Sequence, residues 1–351
     1  MEFITRGFKG SAVKYSPFFD NRICVTASAN YGLVGNGRLY SLMLTPQGIQ
    51  VQKTFDTQDS IYDLSWSESN ENQVAVACGD GSVKLFDTAI PEPFPVANFH
   101  EHGREVFAVH WNLVSKDTFV SSSWDGTIKL VRESPISECN CLMDGIVDPS
   151  TISGTQTAQC SFLSPFTLRH IICLRRFAFK NIRPSYSFLG FQSFSLTYSN
   201  PWFLTNCRLR GAIGSNRQVS APNEVLTHDW NKYRDGVIAT GGVDRAIRTF
   251  DLRNAGGGPV AVLEGHEYAV RKLVWSPHLS DTLLSASYDM SCRIWTDGTM
   301  NATIPRQIGR MDAHTEFVHG VDWCLFGEGW CASTAWDERL LVWDVRSVMT
   351  A

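Results

Sequence analysis

The residues whose types could catalyse a reaction are histidine, serine and aspartate, which occur together at two places in the chain. His266, Ser287 and Asp289 form one set, and His102, Ser123 and Asp125 form the other. A serine activated by a histidine that an aspartate orients is an arrangement that cleaves acyl bonds. An enzyme does not need the same nucleophile in two separate repeats, however. The repetition therefore predicts a structural role, in which Trp295 joins the first set and every buried polar group is hydrogen-bonded.

The first set lies within a unit, His266–Trp295, that the rest of the chain repeats with variations. The unit contains three short apolar runs, Tyr268–Trp275, Thr282–Ser287 and Met290–Trp295, which polar turns separate. Runs of this length predict antiparallel β-strands. One small sheet cannot bury both of its faces, so copies of the unit must stack against one another.

Strands that end in an aromatic residue recur along the chain. The aromatic strand ends are Tyr15, Trp66, Trp111, Trp230, Trp275 and Trp323. Their commonest spacing is 45 residues, and aspartate turns such as those of GDGSVKLFD and WDERLLVWD accompany them. This period is typical of the blades of WD40 β-propellers. The sequence therefore predicts an all-β, seven-bladed WD40 β-propeller in which one middle blade, within residues 132–218, is unrecognisable.

Composition narrows the possible functions. A formal net charge of −4 and a pI near 6.1 argue against nucleic-acid binding, which normally needs a strongly basic face. The glycine-rich stretch YGLVGNG lacks the lysine and the strand-to-helix context of a phosphate-binding loop. No histidine and cysteine cluster has the spacing of a zinc site. We therefore expect no cofactor, no metal and no catalytic residue, and we predict a binding protein, not an enzyme.

The sequence shows neither a secretion signal nor a membrane-spanning segment. The N-terminus MEFITRGFKG has no secretory-signal pattern, and no apolar stretch is long enough to span a membrane. The cysteines lack Cys-x-x-Cys spacing, and those within strand patterns fit buried apolar positions, which indicates a reducing compartment. We expect a cytoplasmic protein whose partners are proteins or peptides.

The repeat pattern divides the chain into three regions. Residues 1–131 contain an N-terminal closing strand and blades one to three, and residues 219–351 contain blades five to seven. Residues 132–218 replace or disguise blade four, and no carboxylate occurs between Asp148 and Glu224. Three explanations remain open: a divergent blade with a long insertion, an insertion that binds an acidic surface, or translated non-coding or frame-shifted sequence.

The loops that enter each first strand converge on one face of a propeller, where partners are expected to bind. The predicted partner-binding rim consists of Asp59, Tyr62, Glu105, Phe107, Trp124, Glu224, Tyr268, Tyr288, Glu316, Phe317 and Trp336. The same alignment of repeats places Arg271 and His319 on this face. Carboxylates beside aromatic rings suit a peptide with basic residues and apolar anchors, because charge orients the peptide and aromatic burial holds it.

Several runs carry a more specific resemblance. YGLVGNGRLY, DSIYDLSWSE, DWNKYRDGVIATGGVD and HTEFVHGVDW resemble the family of peroxisomal import receptors for the type 2 targeting signal. The resemblance covers about residues 8–131 and 219–346. It implies a seven-bladed receptor that shuttles between the cytosol and the peroxisome. Its implied partners are cargo proteins with an N-terminal type 2 signal, an import co-receptor and peroxisomal docking proteins.

Two alternatives remain open for the function. WD40 chains also serve as scaffolds, for example in chromatin or ubiquitin-ligase complexes, and a scaffold should ignore a type 2 signal peptide. The chain could also be an inactive isoform of the receptor. A ring that lacks one sheet would expose apolar faces on both neighbouring blades.

Overall fold

The computed structural model describes residues 1–30, 35–113, 116–132, 207–210, 216–219 and 223–349. Within these residues the chain is an all-β propeller, which confirms the all-β propeller class, and the described residues form six of the seven predicted blades. Six sheets follow one another in chain order, and the first strand of each sheet contacts the first strand of the next, apart from the step across residues 133–222. We name these sheets blades A to F.

Strand β1 (Glu2–Ile4) precedes blade A, which contains β2 (Lys9–Tyr15), β3 (Arg22–Ala29), β4 (Asn36–Thr45) and β5 (Gly48–Thr57). Blade B contains β6 (Ile61–Trp66), β7 (Gln73–Cys78), β8 (Ser82–Asp87) and β9 (Ala97–His100). Blade C contains β10 (Val106–Trp111), β11 (Thr118–Ser123) and β12 (Ile128–Arg132). Strands β13 (Cys207–Arg210) and β14 (Asn216–Val219) form a separate hairpin.

Blade D contains β15 (Val225–Trp230), β16 (Val237–Gly242), β17 (Ile247–Asp251) and β18 (Ala261–Leu263). Blade E contains β19 (Val270–Trp275), β20 (Thr282–Ser287), β21 (Cys292–Thr296) and β22 (Gln307–Met311). Blade F contains β23 (Val318–Trp323), β24 (Trp330–Ala335) and β25 (Arg339–Asp344), with β1 as its outer strand. Short 3-10 helices span Leu252–Gly257 and Val345–Ser347.

The core lies between neighbouring blades. One cluster joins Leu39 and Phe55 of blade A to Leu64 and Phe86 of blade B, and all four side chains are buried. The rings of Phe55 and Phe86 lie 4.8 Å apart between centroids. Because each sheet buries apolar side chains against a neighbour on either face, a single blade is not stable alone.

Hydrogen bonds also join successive first strands. The backbone N–H of Trp111 donates to Ser65 Oγ of the preceding blade at 3.0 Å. The backbone N–H of Tyr15 donates to Asp322 Oδ2 at 2.9 Å, which links blade F to blade A. The predicted aromatic strand ends therefore lie at contacts between blades.

The N-terminal strand joins the last blade to the first. Strand β1 pairs antiparallel with β25, with Phe3 opposite Leu340. The Phe3 ring also lies 5.5 Å from the ring of Tyr40 in blade A. The closing strand that FITRGF was predicted to supply is thus present at Glu2–Ile4. It covers a sheet edge that would otherwise be free to pair with another chain.

The predicted irregular segment, residues 132–218, lies outside the described residues except for Arg132 and the hairpin of β13 and β14. Residues 31–34 of the glycine-rich stretch also lie outside them. Among the parts of the chain that the structure does describe, no helix has the length and apolarity of a membrane span.

Candidate partner-binding site

The histidine, serine and aspartate sets lie inside the blades as hydrogen-bonded chains. In blade E, His266 Nδ1 lies 2.7 Å from Asp289 Oδ2, and His266 Nε2 lies 2.7 Å from Ser285 Oγ. The indole N–H of Trp295 donates to Ser285 Oγ at 2.8 Å. Because an ionised carboxylate can only accept, Nδ1–H of His266 donates to Asp289. The Ser285 hydroxyl also lies 3.4 Å from the Arg293 carbonyl, a second acceptor beside Nε2. Burial lowers the pKa of His266 below its usual value, although the hydrogen bond to Asp289 opposes this shift.

Ser287, the serine predicted for this series of hydrogen bonds, is not part of it. Its hydroxyl donates to the Tyr268 carbonyl at 3.1 Å and accepts the backbone N–H of Asp289 at 3.1 Å, so it closes a turn. Alternate residues of a strand share one face. Ser285, two positions earlier on that face, is the serine that lies level with the histidine.

The same correction applies in blade C. Ser121 Oγ, not Ser123 Oγ, lies 2.9 Å from His102 Nε2, and His102 Nδ1 lies 2.9 Å from Asp125 Oδ2. Ser123 instead donates to the Arg104 carbonyl at 3.0 Å. His102 and Asp125 therefore occupy the predicted structural positions, and Ser123 closes a turn.

Blade F holds a third copy, which was not predicted from the sequence. His314 Nδ1 lies 2.9 Å from Asp337, its Nε2 lies 2.8 Å from Ser333, and the Trp343 indole donates to Ser333 at 3.2 Å. Burial alone would raise the pKa of Asp337, but the hydrogen bond and charge of His314 lower it below its usual value. Three copies of one buried chain indicate that these residues stabilise the blades.

The candidate binding site is the mouth of the axial cavity, at the end where each first strand begins. A β-bulge occurs there in all six described blades. In blade B, Ile61 pairs with Cys78 and Asp63 pairs with Ala77, so Tyr62 is the extra residue of the bulge. A bulge re-aims its extra side chain. The six bulge residues are Ser11, Tyr62, Phe107, Leu226, Arg271 and His319, and all of them line one cavity of about 490 Å³.

Three predicted rim aromatics form a stack in blades B and C, which we call the B–C cluster. The ring centroids of Tyr62 and Phe107 lie 4.4 Å apart, and those of Phe107 and Trp124 lie 4.1 Å apart. Trp124 remains 43% exposed. Burial raises the pKa of the Tyr62 phenol, and the carboxylates of Glu105 and Asp59 raise it further. Glu105 also lies 3.6 Å from Arg104, so the B–C cluster places aromatic surface beside two carboxylates and one guanidinium.

A second aromatic group lies in blades E and F, and we call it the E–F cluster. His319 stacks on Trp336 with 4.8 Å between centroids and 10° between ring planes. Tyr288 lies 5.1 Å from Phe317 and 5.3 Å from His319 between centroids. Lys9 Nζ lies 4.9 Å from the centroid of the Trp336 ring, so a cation covers this cluster.

The structure brings together most of the predicted rim. Asp59, Tyr62, Glu105, Phe107 and Trp124 lie at the B–C cluster, and Tyr288, Phe317 and Trp336 lie in the E–F cluster. Glu224, Tyr268 and Glu316 belong to neither ring stack. Tyr268 is 61% exposed, and the Glu224 backbone accepts the Val243 N–H at 3.0 Å. Lys9 and Ser11, which also lie at the mouth, were not predicted from the sequence.

The described residues hold no group of three or more histidine, cysteine, aspartate or glutamate side chains placed to bind a metal. The thiols of five cysteines are free and buried: Cys24, Cys78, Cys292, Cys324 and Cys331. Burial raises the pKa of the Cys24 thiol to about 12, so this thiol stays protonated. It packs as a small apolar side chain.

These features define the class of protein: a WD40 β-propeller with an aromatic, charged mouth at one end of its axis. Residues 49–87, 94–131 and 257–296 match the family described as WD domain, G-beta repeat. Beyond this class, the chain has named relatives along nearly its whole length.

The chain is 40% identical to the Peroxisomal targeting signal 2 receptor of Saccharomyces cerevisiae, over 97% of this chain and 98% of the relative. The receptor of the same name from Schizosaccharomyces pombe is 34% identical, with 97% and 98% coverage. Peroxisome biogenesis protein 7 of Arabidopsis thaliana is 36% identical, with 96% and 95% coverage. The chain therefore belongs to the family of peroxisomal targeting signal 2 receptors, as its sequence motifs predicted.

Proposed function

We propose that this chain is a receptor for the type 2 peroxisomal targeting signal of cargo proteins, and that the signal docks on the mouth of the propeller. The observation that carries the proposal is the B–C cluster, where Tyr62, Phe107 and Trp124 stack beside Asp59 and Glu105. The names of the full-length relatives support the same receptor role.

The chemistry of the B–C cluster suits a helical signal with basic and apolar residues on one face. Asp59 and Glu105 attract and orient a lysine or arginine, and the exposed ring of Trp124 accepts either an apolar side chain or a cation on its face. The nearby cavity takes side chains that point along the axis. These groups bind and orient a peptide, so the receptor acts by binding and not by catalysis.

The full proposal extends to delivery. The receptor binds cargo in the cytosol, acts with an import co-receptor and peroxisomal docking proteins, and shuttles to the peroxisome. It has seven blades, the seventh contributed from within residues 132–218. Blade C and blade D are the two described blades that this additional sheet would join. The negative net charge of the chain accords with peptide partners and not nucleic acid.

A titration tests this proposal. A fluorescent type 2 signal peptide is added to the full chain, with and without the binding segment of the co-receptor, and anisotropy is measured. A charge-reversed peptide is the ligand control. Glu105→Gln should weaken binding about tenfold, because a charge-assisted contact is lost. Glu328→Gln, an exposed change at the opposite end of the propeller, should leave binding unchanged.

Failure of the folded chain to distinguish the signal from its charge-reversed control would overturn the receptor proposal. Equal effects of Glu105→Gln and Glu328→Gln would instead place the binding site away from the B–C cluster.

A further inference from the structure

Four lysine and arginine side chains line the axial cavity, and they differ in whether a carboxylate lies close to the cation. Lys14 Nζ lies 2.9 Å from Asp322, and Lys232 Nζ lies 2.9 Å from Asp229. The third lysine, Lys272, lies 3.7 Å from Asp63. The fourth cation of the lining is Arg271, whose guanidinium makes no ion pair or hydrogen bond with any described residue. Its planar guanidinium offers several N–H donors in a geometry that matches a carboxylate.

Arg271 is the bulge residue of blade E, and the bulge residue of blade F is His319. The Nε2 atom of His319 is buried and has no hydrogen-bond partner among the described residues. Its ring is fixed by the stack on Trp336. A buried polar atom is normally hydrogen-bonded, so an unpaired one at a binding mouth indicates a group that a ligand satisfies.

His319 can supply a donor without adding charge. Burial lowers the pKa of His319 well below its usual value, and the positive charge of Arg271 lowers it further. The ring is therefore neutral near pH 7, and its Nε2–H tautomer donates one hydrogen bond. Arg271 and His319 together present a cation and a neutral donor to the same cavity.

The two sides of the mouth therefore carry opposite charges. Asp59 and Glu105 supply negative charge at the B–C cluster, whereas Arg271 supplies positive charge beside the E–F cluster. We propose that Arg271 and His319 form a carboxylate-binding subsite for the docked signal peptide. This inference rests on the proposed function and deepens it. A basic residue over blades B and C and a carboxylate over blades E and F fix the direction in which the peptide lies.

The test uses the full chain with the co-receptor segment and a series of fluorescent type 2 signal peptides. Each peptide carries a single glutamate at a different position after its basic residue, and a matched peptide carries glutamine there. In the unmodified chain, glutamate should bind about tenfold more tightly than glutamine at one position or at positions one helical turn apart. In Arg271→Gln this preference should disappear.

Two further variants sharpen the assignment. Arg271→Glu should favour a lysine over a glutamate at that same peptide position, because the ion pair is reversed. His319→Phe keeps a ring to stack on Trp336 but removes the N–H, so it should reduce the glutamate preference only in part. Arg253→Gln is the matched control, since Arg253 is exposed and already paired with Asp251, and it should keep the full preference.

The outcomes separate the two proposals. If no signal peptide binds the unmodified chain more tightly than its charge-reversed control, the proposed function fails. If the peptides bind but no position prefers glutamate, or Arg271→Gln keeps the preference, the carboxylate subsite is wrong while the receptor function stands.

Discussion

Replacing Ser285 by alanine should destabilise the protein more than the same change at Ser287, two residues along the same strand. Ser285 Oγ accepts the Trp295 indole N–H and contacts His266 Nε2. Trp295 is 0% exposed and His266 is 5% exposed, so alanine at 285 leaves both groups buried without a partner. Each orphaned group costs roughly 1–3 kcal/mol, and the free energy of unfolding should therefore fall by about 2–6 kcal/mol.

Ser287→Ala is the matched comparison. It removes the hydroxyl that closes the turn to Tyr268 and Asp289, at a cost of about 1 kcal/mol. Urea unfolding followed by near-ultraviolet circular dichroism measures both losses. The indole ¹H–¹⁵N resonance of Trp295 should shift in Ser285→Ala and stay in place in Ser287→Ala. Equal losses of stability, or an unmoved indole resonance in Ser285→Ala, would refute the assignment of Ser285 to the buried chain.

Three further changes test the closure, the buried aspartates and the contact between blades F and A. Phe3→Ala should lower the free energy of unfolding by about 2 kcal/mol, because Phe3 packs on Tyr40. Ile4→Ala, at an exposed position of the same strand, should change this free energy little. Urea unfolding measures both changes. Burial would raise the pKa of Asp289, but the His266 hydrogen bond outweighs it, so the folded pKa lies below the unfolded value of about 3.9. The stabilisation from this carboxylate is present above the unfolded pKa and is lost as the pH falls through the folded pKa. The Tm of the unmodified chain should therefore exceed that of Asp289→Asn at pH 6, and the difference should shrink as the pH is lowered to 2. Asp322→Ala removes the acceptor of Lys14 and of the Tyr15 N–H and should cost about 3 kcal/mol, while Asp322→Asn, which keeps an acceptor, should cost less in the same urea assay.

The fold class followed from the sequence because short, local sequence signals define each blade of a propeller. Each blade needs short strands, an aromatic strand end and an aspartate turn, and these signals recur at a nearly constant period. The position of the rim followed for the same reason: aligning Trp66 with Trp111 or Trp275 aligns every residue of the loop before it. Residues 132–218 lack these signals, so the same reasoning could not place a blade there.

The choice between Ser285 and Ser287 could not be made from the sequence. Both serines lie on the same face of one strand, and both are fully buried. Which of them meets His266 depends on how far the loop that carries the histidine folds back along the sheet. That distance is a property of the folded blade.

The sequence by itself determined the fold class, the closing strand and most of the side chains at the mouth, because period and alternation assign each residue to a strand, a turn or a face. Only the tertiary structure decided which of those side chains touch. Tyr62 stacks on Phe107 and Arg271 acts on His319 because neighbouring blades bring their bulges together. These residues are 45 or more positions apart in the chain, and contacts across such separations depend on how whole sheets pack.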